Sequence, residues 1–248
     1  MHPRHDDLEY RHGFVRFSAV RAGVFIAANL LLLFAAAGAS AQARRPAAPG
    51  LFFANATLGI GDCAGTLCGP GNDNASTAPL PGIGIGVYVR PIPYFAAGLE
   101  LHHQWMSAED GRSDRFSEGA TDVIANLALR GILPLGIVEP WIGVGLGYAW
   151  WRYAWEKDKK VESLSIDGTN FAFSLGVDVN VAPHWSVGGM FRYALPSWGT
   201  RCKESIDISD GKLKRECKDV DALDAEDRAE LPDSLWYLGA TVRFEFGG

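Results

Sequence analysis

Eight charged side chains interrupt segments that otherwise consist of apolar and small residues, and they are the side chains best placed to do chemistry. They are four cations and four anions: Arg90, Glu100, Asp122, Arg130, Asp178, Arg192, Arg243 and Glu245. Buried charges are tolerated in proteins mainly when opposite charges pair. The balanced set therefore predicts an internal network of salt bridges and hydrogen bonds. A water-filled or gated path for solutes is the alternative.

A histidine pair close to a carboxylate is the one arrangement that suggests hydrolysis. His102 and His103 follow Glu100 in the sequence, and imidazole and carboxyl groups are common acid–base catalysts. Adjacent residues of a strand point to opposite faces, so the two histidines cannot act at one site. No serine or cysteine nucleophile has a base placed beside it. We therefore expect neither an enzyme activity nor a cofactor.

The cysteines fit disulfides better than a metal site. They are Cys63, Cys68, Cys202 and Cys217, and they lack the paired spacing that is usual for zinc. Four cysteines allow three pairings; the local pairs Cys63–Cys68 and Cys202–Cys217 are favoured, and a cross-link between the two segments is the alternative. The acidic run at residues 219–234 lacks the spacing of a calcium loop, so no metal ion is expected.

An apolar run near the start of the chain predicts export. Residues 22–37 are apolar, follow basic residues and precede the small residues Ala39-Ser40-Ala41. This pattern is typical of a signal peptide, here residues 1–41, that is cut after Ala41. Residues 42–50 then form a short N-terminal lead. An uncleaved helical anchor is the alternative, but the run is short for a span of ~20 residues. An oxidising compartment would permit the disulfides.

The net charge of the chain limits the classes of partner that it can bind. The formal net charge is −6 at pH 7. The predicted signal segment contains four arginines and three acidic residues, so its removal makes the protein slightly more negative. An acidic exported protein has no electrostatic reason to bind nucleic acid.

The segment from Phe171 to Leu195 carries the clearest structural pattern. Apolar residues occupy every second position from Phe171 to Val181 and again from Trp185 to Leu195. Since strand side chains alternate between faces, this predicts a hairpin with one apolar and one polar face. Each arm reaches the roughly 9–11 residues that a tilted strand needs to cross a bilayer. Length therefore favours a membrane strand.

The same alternation recurs along the chain and predicts eight strands. Their connections alternate in length: long at residues 61–81, 107–119, 155–170 and 196–234, and short at 91–93, 133–136 and 182–184. In an up-and-down meander, the long connections emerge at one end and the short ones at the other. An open sheet edge in lipid leaves backbone groups unpaired, so spanning strands must close on themselves. We predict an all-β, eight-stranded antiparallel up-and-down transmembrane β-barrel over residues 51–248.

Aromatic residues mark the predicted ends of these strands. Those near the short turns are Tyr94, Trp141, Trp185 and Phe246, and those near the long loops are Trp105, Trp150, Tyr193 and Trp236. Trp and Tyr favour membrane interfaces. The two groups therefore predict two aromatic girdles, with ordinary core aromatics as the alternative.

Taken together, these features resemble one known family. The signal segment, the alternating strands, the loop asymmetry and the closing strand LWYLGATVRFEF are similar to small outer-membrane barrels. These include the membrane domain of outer-membrane protein A and the opacity-type proteins. The resemblance implies a bacterial outer-membrane location, contact with outer-membrane lipid and lipopolysaccharide, and insertion by the outer-membrane assembly machinery. Unlike most members, the chain continues past its last aromatic residue, Phe246, with Gly247 and Gly248.

The expected function follows from the loops. We expect a structural or surface-interaction role of the adhesin type, with a possible external ligand at the long loops. A narrow pore for small solutes is the alternative, and an outer-membrane lipid-modifying enzyme is a weaker one.

Overall fold

The computed structural model describes residues 52–64, 76–109, 119–157, 160–207, 213–229 and 231–246, most of which lie in strands. The strands are β1 (Phe52–Ala64), β2 (Ser76–Ile92), β3 (Phe95–Glu109), β4 (Gly119–Ile132), β5 (Val138–Lys157), β6 (Lys160–Ala182), β7 (Trp185–Asp207), β8 (Leu213–Asp219) and β9 (Ser234–Phe246). A 3-10 helix (Val220–Ala222) and the short helix α1 (Ala225–Ala229) follow β8. Among the described residues, no helix has the length and apolar character needed to cross a membrane. The predicted signal peptide (1–41) and lead (42–50) lie outside the described residues.

Eight of these strands close into an antiparallel ring. β1 to β7 pair in chain order, and β9 lies between β7 and β1. The closing pair of β1 and β9 runs from Phe52 opposite Phe246 to Ala64 opposite Ser234. β8 stands outside the ring and pairs with the far end of β7. The predicted eight-stranded barrel is therefore confirmed.

The alternation of residue types determines which side chains face outward. On β2, Ile85 is 61% exposed whereas Tyr88 is 2% exposed. On β6, the apolar residues from Phe171 to Val181 face outward while Ala172, Ser174 and Asp178 are buried. Successive strand residues point to opposite faces, so the barrel carries its apolar residues outside and its polar residues inside. That is the reverse of a water-soluble fold.

The predicted long loops are too long, because strands continue into all four of them. β1 and β2 enter residues 61–81, and β3 and β4 enter residues 107–119. The other two predicted loops are mainly strand. The predicted loop at residues 155–170 is the top of a hairpin in which β5 and β6 pair as far as Lys157 opposite Lys160. The predicted loop at 196–234 contains the end of β7 and all of β8. Charged residues suggested loops there, but a strand that extends beyond the outward apolar side chains can carry charge on its exposed face. The parts of β5, β6 and β7 above those apolar side chains form, together with β8, a sheet that is here called the raised sheet.

Two apolar clusters lie inside the barrel. The lower one, toward the short turns, includes Phe53, Trp141 and Met190. The upper one includes Trp151 and Ile166 and is joined by Val220, Leu223 and Leu231 from the segment between β8 and β9. We call residues 220–229 and 231–232 the cap. The cap packs its apolar side chains onto the upper interior of the barrel.

Polar contacts hold the cap in place. The Nε1 atom of Trp198 on β7 donates a hydrogen bond to the Pro232 carbonyl oxygen at 2.6 Å. Arg201 on β7 lies 2.9 Å from the carboxylate of Asp227 in α1. The backbone N–H of Asp233, which follows the cap, donates to the Ala64 carbonyl oxygen at 2.8 Å. The cap is therefore fixed to β1 and β7.

Candidate functional site in the barrel lumen

The lower part of the lumen contains five charged side chains in mutual contact, here called the lower ion-pair cluster. Its members are Arg90, Glu139, Asp178, Arg243 and Glu245. Arg243 lies 2.6 Å from Glu139 and 3.0 Å from each of Asp178 and Glu245. Arg90 lies 3.2 Å from Glu139 and 3.4 Å from Glu245. Two guanidinium groups thus bind three carboxylates, and the five residues come from four different strands, β2, β5, β6 and β9. The cluster therefore ties opposite walls of the barrel together.

Smaller polar groups complete this cluster. The Thr241 hydroxyl donates to Asp178 at 2.9 Å, and Arg243 also donates to Asn180 and to the Ser186 hydroxyl at 3.2 and 3.1 Å. Hydrogen bonds between charged groups and well-placed acceptors are stronger than neutral ones. The lower ion-pair cluster therefore forms a cross-linked polar plug.

A second group higher in the lumen, the central ion-pair cluster, consists of Glu100, Arg130 and Arg192. One oxygen of Glu100 lies 2.7 Å from Arg130, and the other contacts Arg192. The Tyr88 hydroxyl also donates to Glu100. Arg130 stacks with its guanidinium carbon 4.0 Å from the centre of the Trp141 ring and 4.2 Å from that of Tyr88. One carboxylate therefore contacts two buried arginines, one of which is also stabilised by aromatic faces.

All eight charged residues singled out from the sequence face the interior, and seven of them belong to these two clusters. Asp122 is the exception: it is buried but has no ion pair among the described residues. Sequence reasoning missed Glu139, which bonds both Arg90 and Arg243. The alternation along β5 could have revealed it. Glu139 lies an even number of positions, four, before Gly143, so both residues lie on the inward face of the strand.

The predicted girdle position of Trp141 is wrong. Trp141 is only 3% exposed and lies in the lower apolar cluster. Trp141 lies two positions before Gly143, so its side chain points inward as that position does. It lies opposite Gly176 on β6, where a Cβ atom would meet the indole ring at 2.5 Å. The glycine therefore makes room for an inward indole.

The other predicted girdle residues face outward. Those near the short turns are Tyr94, Trp185 and Phe246, and those near the far end are Trp105, Trp150, Tyr193 and Trp236. Trp236 is half-buried and the other six are exposed. The position of these aromatic rings at both ends of the apolar belt is compatible with two membrane interfaces.

The disulfide prediction is confirmed for one pair. Cys202 and Cys217 are bonded, and they lie directly opposite each other on β7 and β8 with their Cα atoms 4.0 Å apart. Cys63 is also disulfide-bonded. Its predicted partner Cys68 lies outside the described residues.

The two histidines next to Glu100 lie on opposite faces of β3. His102 faces the lumen with its Nε2 atom 3.8 Å from Glu100, a carboxylate already engaged by two arginines. His103 faces outward and its ring packs edge-on against Trp105. Within the described part of the chain, no group of three or more potential ligands is arranged to hold a metal ion.

Comparison with known proteins gives the family. The chain matches the model of the outer membrane protein beta-barrel domain family over residues 27–209. The chain belongs to this family. No curated protein sequence matches it. The protein is therefore a bacterial outer-membrane β-barrel. In such barrels the short turns face the periplasm and the longer connections face the exterior, so the cap and the raised sheet lie outside the cell.

Several solved structures have similar folds. A major outer membrane protein of Thermus thermophilus is 15% identical, with a TM-score of 0.57, covering 78% of this chain and 99% of that chain. Neisserial surface protein A is 12% identical, with a TM-score of 0.49 and coverages of 80% and 99%. Ail, the attachment invasion locus protein of Yersinia pestis, in complex with the heparin analogue sucrose octasulfate, is 10% identical, with a TM-score of 0.44 and coverages of 79% and 100%. At 15% identity, the match to the Thermus thermophilus protein supports the fold alone.

The apolar belt of this outer-membrane barrel has the dimensions of a bilayer. The outward apolar positions of β6 run from Phe171 to Val181. About eleven residues at roughly 3.4 Å each, tilted by about 40°, span roughly 28 Å, close to the ~25 Å belt of such barrels. The remainder of β6, from Lys160 down to the start of the belt at Phe171, lies beyond the lipid.

Proposed function

We propose that this outer-membrane barrel has a structural and surface-interaction role of the adhesin type, carried by its external end. The observation that supports this role is the raised sheet. β6 and β7 continue well past the apolar belt, and the added strand β8 is exposed along its whole length. Such a platform presents side chains to the surroundings of the cell at a fixed distance from the membrane.

The tip of the raised sheet offers apolar surface that the barrel itself does not need. Ile206 and Leu213 lie opposite each other on β7 and β8 and are 42% and 59% exposed. They lie outside the lipid, so lipid does not account for their exposure. In this proposal the exposed pair contacts an apolar surface of the partner.

A solute path is the rival role, and the contents of the lumen argue against it. An eight-stranded barrel is just wide enough for side chains to fill. Here the two ion-pair clusters occupy the lumen, and the cap packs over the upper apolar cluster. We likewise propose a non-catalytic role, because His102 is buried beside Glu100 rather than placed at the external end.

Attachment assays test the surface role. Cells that lack the gene are complemented with the wild-type protein, with Ile206→Ser/Leu213→Ser, or with the control Leu133→Ser/Leu135→Ser in the short turn at the opposite end. Binding to cultured epithelial cells and to polystyrene is measured at matched surface levels of protein. We expect the tip variant to reduce attachment and the control to retain it. If all strains attach equally well, including the cells that lack the protein, the proposed surface-interaction role is wrong.

Electrical recordings test the rival role. The purified wild-type barrel in planar bilayers should give no steady conductance, because charged side chains pair across the lumen. A reproducible open channel would replace the proposed role by that of a narrow pore.

A further inference from the structure

The disulfide of the raised sheet joins an inner strand of that sheet to an edge strand. Cys202 on β7 is 6% exposed, and its strand has β6 on one side and β8 on the other. Cys217 on β8 is exposed, and among the described residues no strand pairs with the outer edge of β8. The two cysteines of one bond therefore differ in their access to solvent.

The position of the disulfide determines which sulfur atom an incoming thiolate can reach, and exchange depends on this access. The thiolate approaches in line with the sulfur–sulfur bond, from the side opposite the sulfur that leaves. For attack at Cys217, this side is the outer edge of β8. For attack at Cys202, it is the neighbouring strand β6, where Ser165 lies directly opposite Cys202. The fold therefore favours attack at Cys217, with Cys202 as the leaving sulfur.

A guanidinium group lies beside the sulfur that would leave. The Nη2 atom of Arg215 on β8 donates a hydrogen bond to Cys202 Sγ at 3.9 Å. Glu204 on β7 holds the same guanidinium, with a carboxylate oxygen 3.3 Å from Arg215 Nε. A positive charge next to a sulfur favours its thiolate form, and a more stable thiolate leaves a disulfide faster. Arg215 is therefore placed to assist the departure of Cys202.

We propose that Cys217 is a site of covalent modification by small thiols outside the cell. An external thiolate attacks Cys217 Sγ and forms a new sulfur–sulfur bond with it. The bond between Cys217 and Cys202 breaks, and its electron pair leaves with Cys202 as a thiolate, which Arg215 stabilises. The exchange consumes one thiolate and releases another, so it requires no oxidant or reductant other than the thiol itself.

The modification changes how β8 is held. Once the disulfide has opened, the pairing between β7 and β8 consists of backbone contacts from Thr200 opposite Asp219 to Ile206 opposite Leu213. Because β8 stands outside the ring of eight strands, it can separate from β7 without opening the barrel wall. The reaction depends on β7 and β8 alone, so it does not depend on the proposed surface-interaction role.

Exchange with glutathione tests this inference. The mature wild-type barrel in lipid nanodiscs is incubated with reduced glutathione, and an excess of N-ethylmaleimide is added at intervals to alkylate every free thiol. Peptides are then mapped by mass spectrometry without reduction. We expect molecules that carry glutathione on Cys217 and the alkyl group on Cys202. Glutathione mainly on Cys202, or on neither of the two cysteines, would overturn the proposal.

Substitutions on β8 test the part played by Arg215, with the gel shift on heating used to verify that each barrel is folded. Arg215→Met should lower the initial rate of mixed-disulfide formation at least about threefold, because the departing Cys202 thiolate loses its neighbouring charge. Arg215→Lys keeps the charge and should retain most of the rate. The matched control Lys214→Met removes one charge from the opposite face of β8 and should keep the rate within about twofold, since solvent screens exposed charges. Equal rates for Arg215→Met and the wild type, or equal losses in Arg215→Met and Lys214→Met, would contradict the proposed assistance.

Discussion

Glu100 is the single carboxylate on which the central ion-pair cluster depends, so Glu100→Gln is the most informative perturbation of the lumen. The substitution preserves size but removes the negative charge that faces Arg130 and Arg192. The new amide keeps one acceptor oxygen and places an N–H₂ group where a guanidinium had been bound. Both Arg130 and Arg192 then lack a carboxylate partner in this cluster.

The magnitude follows from the burial of both partners. Glu100 is 4% exposed and each arginine is 3% exposed, so solvent screens the pairs little. Removing one member of a buried pair costs about 3–5 kcal/mol, since the other charge stays buried and unpaired. By contrast, the exposed pair between Glu204 and Arg215, 3.3 Å apart, should contribute about 0–1 kcal/mol. Glu204→Gln is therefore the matched control.

The assay is urea-induced unfolding of the barrel in lipid vesicles, followed by the mobility of unheated protein on a gel. Glu100→Gln should lower the free energy of unfolding by about 3–5 kcal/mol, and Glu204→Gln by less than about 1 kcal/mol. Adding Arg192→Met to Glu100→Gln should restore part of the loss, since it removes a buried unpaired charge. If both glutamine variants lower the free energy of unfolding by the same small amount, solvent must already screen the charges of the two arginines. The packed plug is then refuted.

Three further outcomes test other parts of the fold. Cys202→Ser/Cys217→Ser should leave the barrel folded, with an unchanged gel shift on heating, because this disulfide joins β7 to β8 beyond the lipid; loss of the folded band would show that the bond supports the ring. Trp141→Ala should destabilise the barrel by about 3–5 kcal/mol in the same urea assay, because the indole fills the lumen beside Arg130; an effect near zero would place the ring outside. Leu146→Arg, on the outward face of β5, should cost about 2–4 kcal/mol in lipid, and a neutral result would mean that this position does not face the membrane.

The sequence by itself determined the strands and the faces of the barrel wall. Alternation is a local property with a period of two residues, so outward Ile85 and inward Tyr88 could be assigned without knowing their neighbours. The spanning length of the Phe171–Val181 arm then required lipid contact. Ring closure followed, because backbone groups at a sheet edge cannot stay unpaired in a bilayer. Strand ends were less well determined, because charged residues such as Lys157 are compatible with both a loop and a strand beyond the membrane.

Only the tertiary structure decided which lumen groups meet. Glu139 bonds Arg90 and Arg243, which are 49 and 104 positions away in sequence, and the alternation of each strand carries no information on such partners. The stagger between neighbouring strands sets the height of each side chain in the barrel, and contacts across the lumen depend on all eight strands together. The same dependence explains Trp141, whose inward position requires the space left by Gly176 on the next strand. It also explains the cap, whose apolar residues lie in a segment without regular alternation and are buried only because the upper interior of the closed barrel is apolar.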